Sequence, residues 1–294
     1  MNSFKRTFGF INNHPLAKKH LLSAYLRFIF WQFRLRFSDK LIPVNFIGSS
    51  KLLARRGLTG VTGNIYTGLH EFEEMGFLLH LLRNTDTFFD VGANAGSYTI
   101  LASGVCGARS LSFEPVPATF EILKKTIELN HLQTKVQAIP AGAGYEQGFL
   151  NFTADQDTTN HVIPVSETLS DSVIVPIVRL DEYILKSPLL IKIDVEGFET
   201  EVIRGAHQIL KQDSLKAIII ELNGCGNRYN FDESLIHQKL SEMGFLPYQY
   251  NPFNRQLTQL YIYGNFNTIY LRDLDFIRER IKTAKAIKIF SSLL

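Results

Sequence analysis

Between residues 87 and 243 the chain alternates short, continuously apolar runs with amphipathic stretches, a pattern that restricts the fold more than any other feature. Thr87–Val91, Ser110–Phe113, Val136–Ile139, Leu189–Ile193 and Ala217–Leu222 predict strands. Ser97–Ser103, Pro117–Leu129, Thr200–Leu210 and Glu233–Met243 predict helices. Strands that are apolar along their whole length belong to a parallel sheet covered on both faces. The expected fold is a doubly wound α/β sheet.

Two departures interrupt the alternation. Phe149–Thr153 and Val173–Val178 predict an extra hairpin. The polar stretch 154–170 within it, with Asp155, Asp157, Asn160 and His161, is long for a compact-domain loop and suits a lid or binding loop. Near the end, Leu246–Tyr250 and Asn267–Arg272 predict two strands joined by the aromatic-rich segment 251–266, before a final helix from Asp273. A chain of 294 residues with 45% hydrophobic and 20% charged residues supports one such domain plus an appendage, and excludes long disorder. We place the main domain at residues 71–294, entered through a helix from about Glu71 to Leu82, and an N-terminal module at residues 1–70. Cys106 and Cys225 lack C-x-x-C spacing and predict buried thiols in a reducing compartment.

Charge is distributed unevenly. Residues 1–60 hold eleven Lys and Arg against one acid, Asp39, so this part carries +10. With +3 overall, the remainder carries −7. Pro15 to about Phe37 predicts one amphipathic helix with Leu22, Tyr25, Leu26, Ile29 and Phe33 at helical spacing. Its apolar side is expected to pack on the main domain. The alternative is a peripheral contact of residues 15–37 with the inner face of a membrane. Residues 41–68, broken by Pro43 and several glycines, predict irregular strands and turns. Arg27 interrupts the most apolar N-terminal run, which is too short to span a bilayer, and no cleavable leader is recognisable. The default compartment is the cytoplasm.

In an open α/β sheet the ligand lies beyond the carboxyl ends of the strands, so the turn after the first core strand matters most. It reads Phe89-Asp90-Val91-Gly92-Ala93-Asn94-Ala95-Gly96. A dinucleotide fingerprint G-x-G-x-x-G would put its last glycine at position 97, which is Ser97; the glycine falls at 96. This disfavours a nicotinamide dehydrogenase. The D-x-G-x-N-x-G pattern suits a ligand with a charged amino-acid moiety and no pyrophosphate, while a tight turn without a ligand is the alternative. Glu114, eighteen residues after Gly96 at the end of the next strand, is placed to accept ribose hydroxyls. Together these features favour an adenosine-type ligand.

At this point the chain resembles the FkbM family of methyltransferases. The resemblance rests on Phe89–Gly96, Phe113-Glu114-Pro115, Arg179-Leu180-Asp181 and, most specific, Ile191-Lys192-Ile193-Asp194-Val195-Glu196-Gly197-Phe198-Glu199, over roughly residues 85–250. It implies a class I Rossmann-like methyltransferase fold with an antiparallel last strand, and S-adenosyl-L-methionine as the methyl donor. It implies a small-molecule or glycan acceptor, often methylated on a hydroxyl; lipid, amine or protein acceptors are the alternative. Asp90, Gly92, Asn94, Gly96, Ser97, Glu114 and Pro115 are the expected cofactor contacts. After the third strand, Ile139-Pro140-Ala141-Gly142-Ala143-Gly144 lacks the polar residue that many methyltransferases set against adenine, so apolar packing or backbone must serve there.

Asp194 and Glu196 are the expected catalytic residues, as base or as the group holding an acceptor hydroxyl. Asp194 could instead cap the following helix. No metal is expected; an oxygen-ligand set of Asp194, Glu221 and Asn223 is the alternative. His161 is a weaker candidate base, and Tyr66, His70 and Glu71 could close over the cofactor. The missing Asn/Asp-Pro-Pro-Tyr/Phe element argues against nucleobases, so no nucleic-acid partner is expected. A non-catalytic, membrane-associated binding module is the remaining alternative, disfavoured by intact Asp90, Glu114 and Asp194.

Overall fold

Parallel strands can follow one another only through a crossover, and each apolar run of the core obeys that constraint. The computed structural model describes residues 3–37, 40–153, 160–164, 172–264 and 266–294. The N-terminal part carries helices α1 (Ser3–Asn13), α2 (Pro15–Lys18) and α3 (Leu21–Arg34), the hairpin β1 (Ile42–Asn45) and β2 (Lys51–Ala54), and α4 (Thr59–Thr67). After α5 (Phe72–Leu81) come β3 (Thr87–Val91), α6 (Ser97–Ile100), β4 (Arg109–Phe113), α7 (Pro117–Leu129) and β5 (Val136–Ile139). A small sheet follows, of β6 (Gly142–Ala143), β7 (Gly148–Thr153) and β8 (Ser172–Val178). The main sheet resumes with β9 (Leu190–Ile193), α8 (Glu199–Arg204), β10 (Ala217–Glu221) and α9 (Glu233–Glu242). It closes with β11 (Leu246–Asn251), β12 (Gln256–Gln259) and β13 (Asn267–Leu271), before α10 (Leu274–Lys282) and the short pair β14 (Lys288–Ile289) and β15 (Ser292–Leu293).

The eight-stranded sheet has the order β12-β11-β13-β10-β9-β3-β4-β5. Strands β10, β9, β3, β4 and β5 run parallel, and β13 is inserted antiparallel beside β10. This is the Rossmann-like class I arrangement with its antiparallel last strand. Strand order reverses between β3 and β9, so a crevice opens at their carboxyl ends.

Strand alternation separates two cores. Phe88, Leu190, Ala217 and Ile219 face α5 and α10 on one side; Phe89, Val91, Leu111, Ile191, Ile193 and Ile218 form the core on the other. A third core joins the N-terminal part to the sheet, uniting Ala24, Phe28 and Trp31 of α3 with Ala93, Ile100 and Ile122.

Several local expectations are corrected. The helix expected over residues 15–37 is divided into α2 and α3, with α2 begun by His14, whose ring accepts from Leu16 N–H and also bonds Leu69 O at 2.6 Å. Most of the apolar stripe expected to pack inward faces solvent: Leu22, Leu26, Ile29 and Phe33 are exposed and Tyr25 is partly buried, while α3 buries Ala24, Phe28 and Trp31, with Leu35 just beyond it. Residues 41–68 are ordered as a hairpin and a helix. Gly63 serves close packing there, since a Cβ would lie 1.6 Å from the His70 ring. The helix expected over residues 200–210 stops at Arg204. A Cβ on Gly205 would meet Gly144 O at 2.0 Å, and the Asp181 carboxylate accepts from the N–H groups of Gln208 and Ile209 to start a separate turn. The helix after β3 passes at Leu101 into a π-helical turn, and segment 251–266 contains the edge strand β12. Both cysteines are free and half-buried rather than fully buried. No helix among the described residues is long and apolar enough to cross a membrane.

Leu78 of α5 is wholly enclosed, whereas Leu185 is 94% exposed. Leu78→Ala is expected to cost about 2–5 kcal/mol and Leu185→Ala less than about 0.5 kcal/mol, measured by urea unfolding. Equal effects would contradict this core.

Candidate active site

Register decides which polar side chains meet at the crevice. Asp90 of β3 lies opposite Lys192 of β9 on one side and Ser112 of β4 on the other. Ile219 pairs with Lys192, so the same register carried two residues on sets Glu221 beside Asp194. The sheet face that is apolar at Phe88, Leu190 and Ala217 thus becomes polar at its carboxyl end.

Lys192 organises that end. It is 3% exposed, its Nζ donates to Asp194 Oδ2 at 2.7 Å, and it lies 4.8 Å from the Tyr98 ring centre. Burial works against its ammonium, yet Asp194, Glu71 and Asp90 together raise its pKa above the ordinary value, so it stays charged. Asp90 accepts from Thr99 Oγ1 at 2.6 Å, and Thr99 also bonds Ser112. Burial pushes Asp90 up to about 6.

The first turn is shaped by close approach. Gly92 has φ 83°, and a Cβ there would meet Asp194 O at 1.8 Å. Asn94 is left-handed at φ 49°, and its side chain accepts from Ala95 N–H. Glu114 accepts from Asn94 N–H with one carboxylate oxygen and from Val116 N–H with the other, both at 2.9 Å. Burial pushes Glu114 up to about 7. A carboxylate offers about four acceptor positions, so two remain.

The turn after β9 is equally constrained. Glu196 and Gly197 are both left-handed, at φ 56° and 103°, and a Cβ on Gly197 would strike the Cys225 backbone at 2.6 Å. Glu199, rather than Asp194, orders this turn, by accepting from Val195 and Gly197 N–H groups. Asp194 is therefore free of the helix-capping role. Asp194, Glu196 and Glu221 bring one carboxylate oxygen each within 4.8 Å of one another. Burial and Asp194 push Glu196 up to about 7 and hold Glu221 well above the usual carboxylate range.

Asp90, Gly92, Asn94, Ser97, Glu114, Pro115, Asp194 and Glu196 all border one crevice. Gly96 does not: it sits behind the loop as the residue that starts α6, where a Cβ would meet Leu123. Of the outer candidates, His70 and Glu71 border the crevice and Tyr66 does not. Of the alternative oxygen-ligand set, Asp194 and Glu221 border the crevice together with Glu196, while Asn223 is exposed and accepts from Cys225 N–H. Glu221 lines the crevice instead of facing solvent. Asp155 and Asp157 lie outside the described residues. Asn160 borders the crevice, and His161 is not among its lining residues. Ala141, Gly142 and Ala143 form an apolar wall, as the missing polar residue after β5 implied.

With this geometry in place, comparison with known proteins is decisive about kinship. A family model described as the methyltransferase FkbM domain matches residues 90–247, more than half of the chain. The chain belongs to the FkbM methyltransferase family. It is 29% identical over 172 residues to Methyltransferase 1 of Beauveria bassiana, covering 50% of this chain and 68% of that protein. It is 27% identical over 175 residues to the hexuronic acid methyltransferase AglP of Haloferax volcanii, covering 58% and 70%. A solved FkbM methyltransferase from Methylobacillus flagellatus matches with a TM-score of 0.45 at 15% identity, covering 65% of this chain and 44% of that one, so the chain spans under half that protein's length.

Two residues of this methyltransferase escaped sequence reasoning. Lys192 carried a signal, a cation between Ile191 and Ile193 in a buried strand; Tyr98, whose hydroxyl donates to Glu71, carried none. Gly92→Ala is expected to destabilise by at least ~2 kcal/mol through left-handed strain and the clash with Asp194. Gly148→Ala, with open space around it, should change stability by less than about 0.5 kcal/mol. Comparable unfolding midpoints for the two variants would contradict the close approach.

Proposed function

We propose that the crevice binds S-adenosyl-L-methionine and that the chain methylates a hydroxyl of a sugar or similar small molecule. The observation that carries this reading is the polar line Asp90, Lys192, Asp194 and Glu114 at the point where strand order reverses. The residues fit the donor's chemistry. Gly92 lets backbone approach closely, Glu114 keeps acceptor positions for ribose hydroxyls, and the Ala141–Ala143 wall suits an adenine face. Asp90, Asn94, Ser97 and Pro115 complete the proposed contacts, with Gly96 acting behind them. Bound here, the donor would supply an electrophilic methyl on a sulfonium. In this reading residues 71–294 form the methyltransferase domain, and residues 1–70 form a module whose α4 contributes one wall.

The chain's own part is to orient the acceptor and take its proton. Glu196 accepts the proton of the reacting hydroxyl as its oxygen becomes alkylated, and Asp194, fixed by Lys192, accepts from a neighbouring hydroxyl of the acceptor to orient it. A base at Glu196 suits a hydroxyl, which must lose a proton on methylation, better than a carboxylate, which has none to lose at neutral pH. The relative named for hexuronic acid supports a saccharide acceptor.

Two measurements test these assignments. A cation entering the crevice favours ionised carboxylates, so it lowers the raised pKa values of Glu114 and Glu196 and expels protons near pH 7. Calorimetry in buffers of different ionisation enthalpy should therefore show proton release with S-adenosylmethionine, and less with S-adenosylhomocysteine, which lacks the sulfonium charge. No binding of either compound would remove the donor assignment.

The second concerns the base. Glu196 must be ionised to accept a proton, so kcat/KM on a hydroxyl acceptor should climb with pH and then level off, with its midpoint at about 7 in the ligand-free chain and lower once the cationic donor is bound. Glu196→Gln should abolish that limb and lower the rate about 100-fold or more. A limb that persists in the variant would assign the proton to another group.

A further inference from the structure

We propose that the outward face of α3 is a docking surface for an anionic lipid bilayer, with the helix lying in the plane of the headgroups. α3 is apolar on two opposite sides. At 100° per residue, Ala24, Phe28 and Trp31 point one way into the third core, while Leu22, Leu26, Ile29, Phe30 and Phe33 point the other way. The outward five are 46–75% exposed, and Phe37 just beyond the helix is 74% exposed. A helix that is apolar all round is ordinarily buried, so a continuous stripe of this kind marks a contact surface.

Charge identifies the occupant. Exposed Lys18 precedes the helix, and exposed Arg34 and Arg36 lie at its end, in a segment carrying +10. A second copy of this chain would set Lys18, Arg34 and Arg36 against the same cations of the other copy, like charge against like. A nucleic acid would meet phenyl and aliphatic groups at the centre, where it needs cations. An anionic bilayer offers acyl chains to the centre and phosphates to the flanks. The fourteen residues of α3 rise about 21 Å, less than the roughly 30 Å of a hydrocarbon core, so the helix lies on the bilayer and does not cross it. This inference stands apart from the methyl-transfer reading, because no residue of the outward stripe borders the crevice.

Flotation of the full chain with vesicles tests it. The protein should rise with vesicles of equal parts phosphatidylglycerol and phosphatidylcholine, remain below with phosphatidylcholine alone, and be released by salt. The triple variant Ile29→Ser, Phe30→Ser, Phe33→Ser and the double variant Arg34→Glu, Arg36→Glu should each weaken partitioning at least ~10-fold. Their thermal unfolding should match the parent, because these side chains are exposed. Salt-sensitive flotation of the parent keeps the test informative if a variant misfolds. The proposal is overturned if the parent ignores anionic vesicles, or if both variants float as the parent does. It is equally overturned if the parent is a dimer that the triple variant dissolves, or is retained by nucleic acid and not by vesicles.

Discussion

The ion pair of Lys192 with Asp194 is the interaction on which the rest of the site depends. An ammonium 3% exposed in a strand is tolerable only where carboxylates surround it. Asp194, Asp90 and Glu71 do so from three different elements. Removing the ammonium would leave several buried acids without a counter-charge. The polar end of the sheet therefore stands as a unit, and the register between β3 and β9 assembles it.

Acids outnumber cations around the crevice. Asp90, Glu114, Glu196 and Glu221 all have raised pKa values, with burial the first cause in each. Holding protons there limits the repulsion of a charged cluster, and the cluster is electrostatically suited to a positive ligand. Two left-handed turns, at Gly92–Asn94 and at Glu196–Gly197, bring the acids together at contact distance. Their strain is held by backbone N–H groups that donate to the carboxylates of Glu114 and Glu199.

The N-terminal part shows how one helix can serve two surfaces. Its inward residues belong to the same core as Ala93 of the first turn and Ile122 of α7, so α3 and α4 help to fix the crevice wall. Arg27 reinforces the link by donating to Tyr66 O from Nε and Nη2. The apolar residues left outside are thus surplus to folding.

Sequence alone determined the alternation of strands and crossovers, the place of the crevice at the end of the first core strand, and most of the polar residues that border it. Those features are local: period, turn chemistry and motif spacing are written in consecutive residues. Tertiary structure alone decided the rest. Lys192 became central because register set it opposite Asp90, and Glu196 joined Asp194 and Glu221 in one carboxylate cluster because a left-handed turn folded it back. Gly96 left the crevice and Gly63 entered a helix because each glycine answers to a neighbour distant in sequence, Leu123 in one case and His70 in the other. Helical spacing marked the stripe from Leu22 to Phe33 as the packing side of α3; packing against Ala93 and Ile100 instead buries the opposite side, Ala24, Phe28 and Trp31.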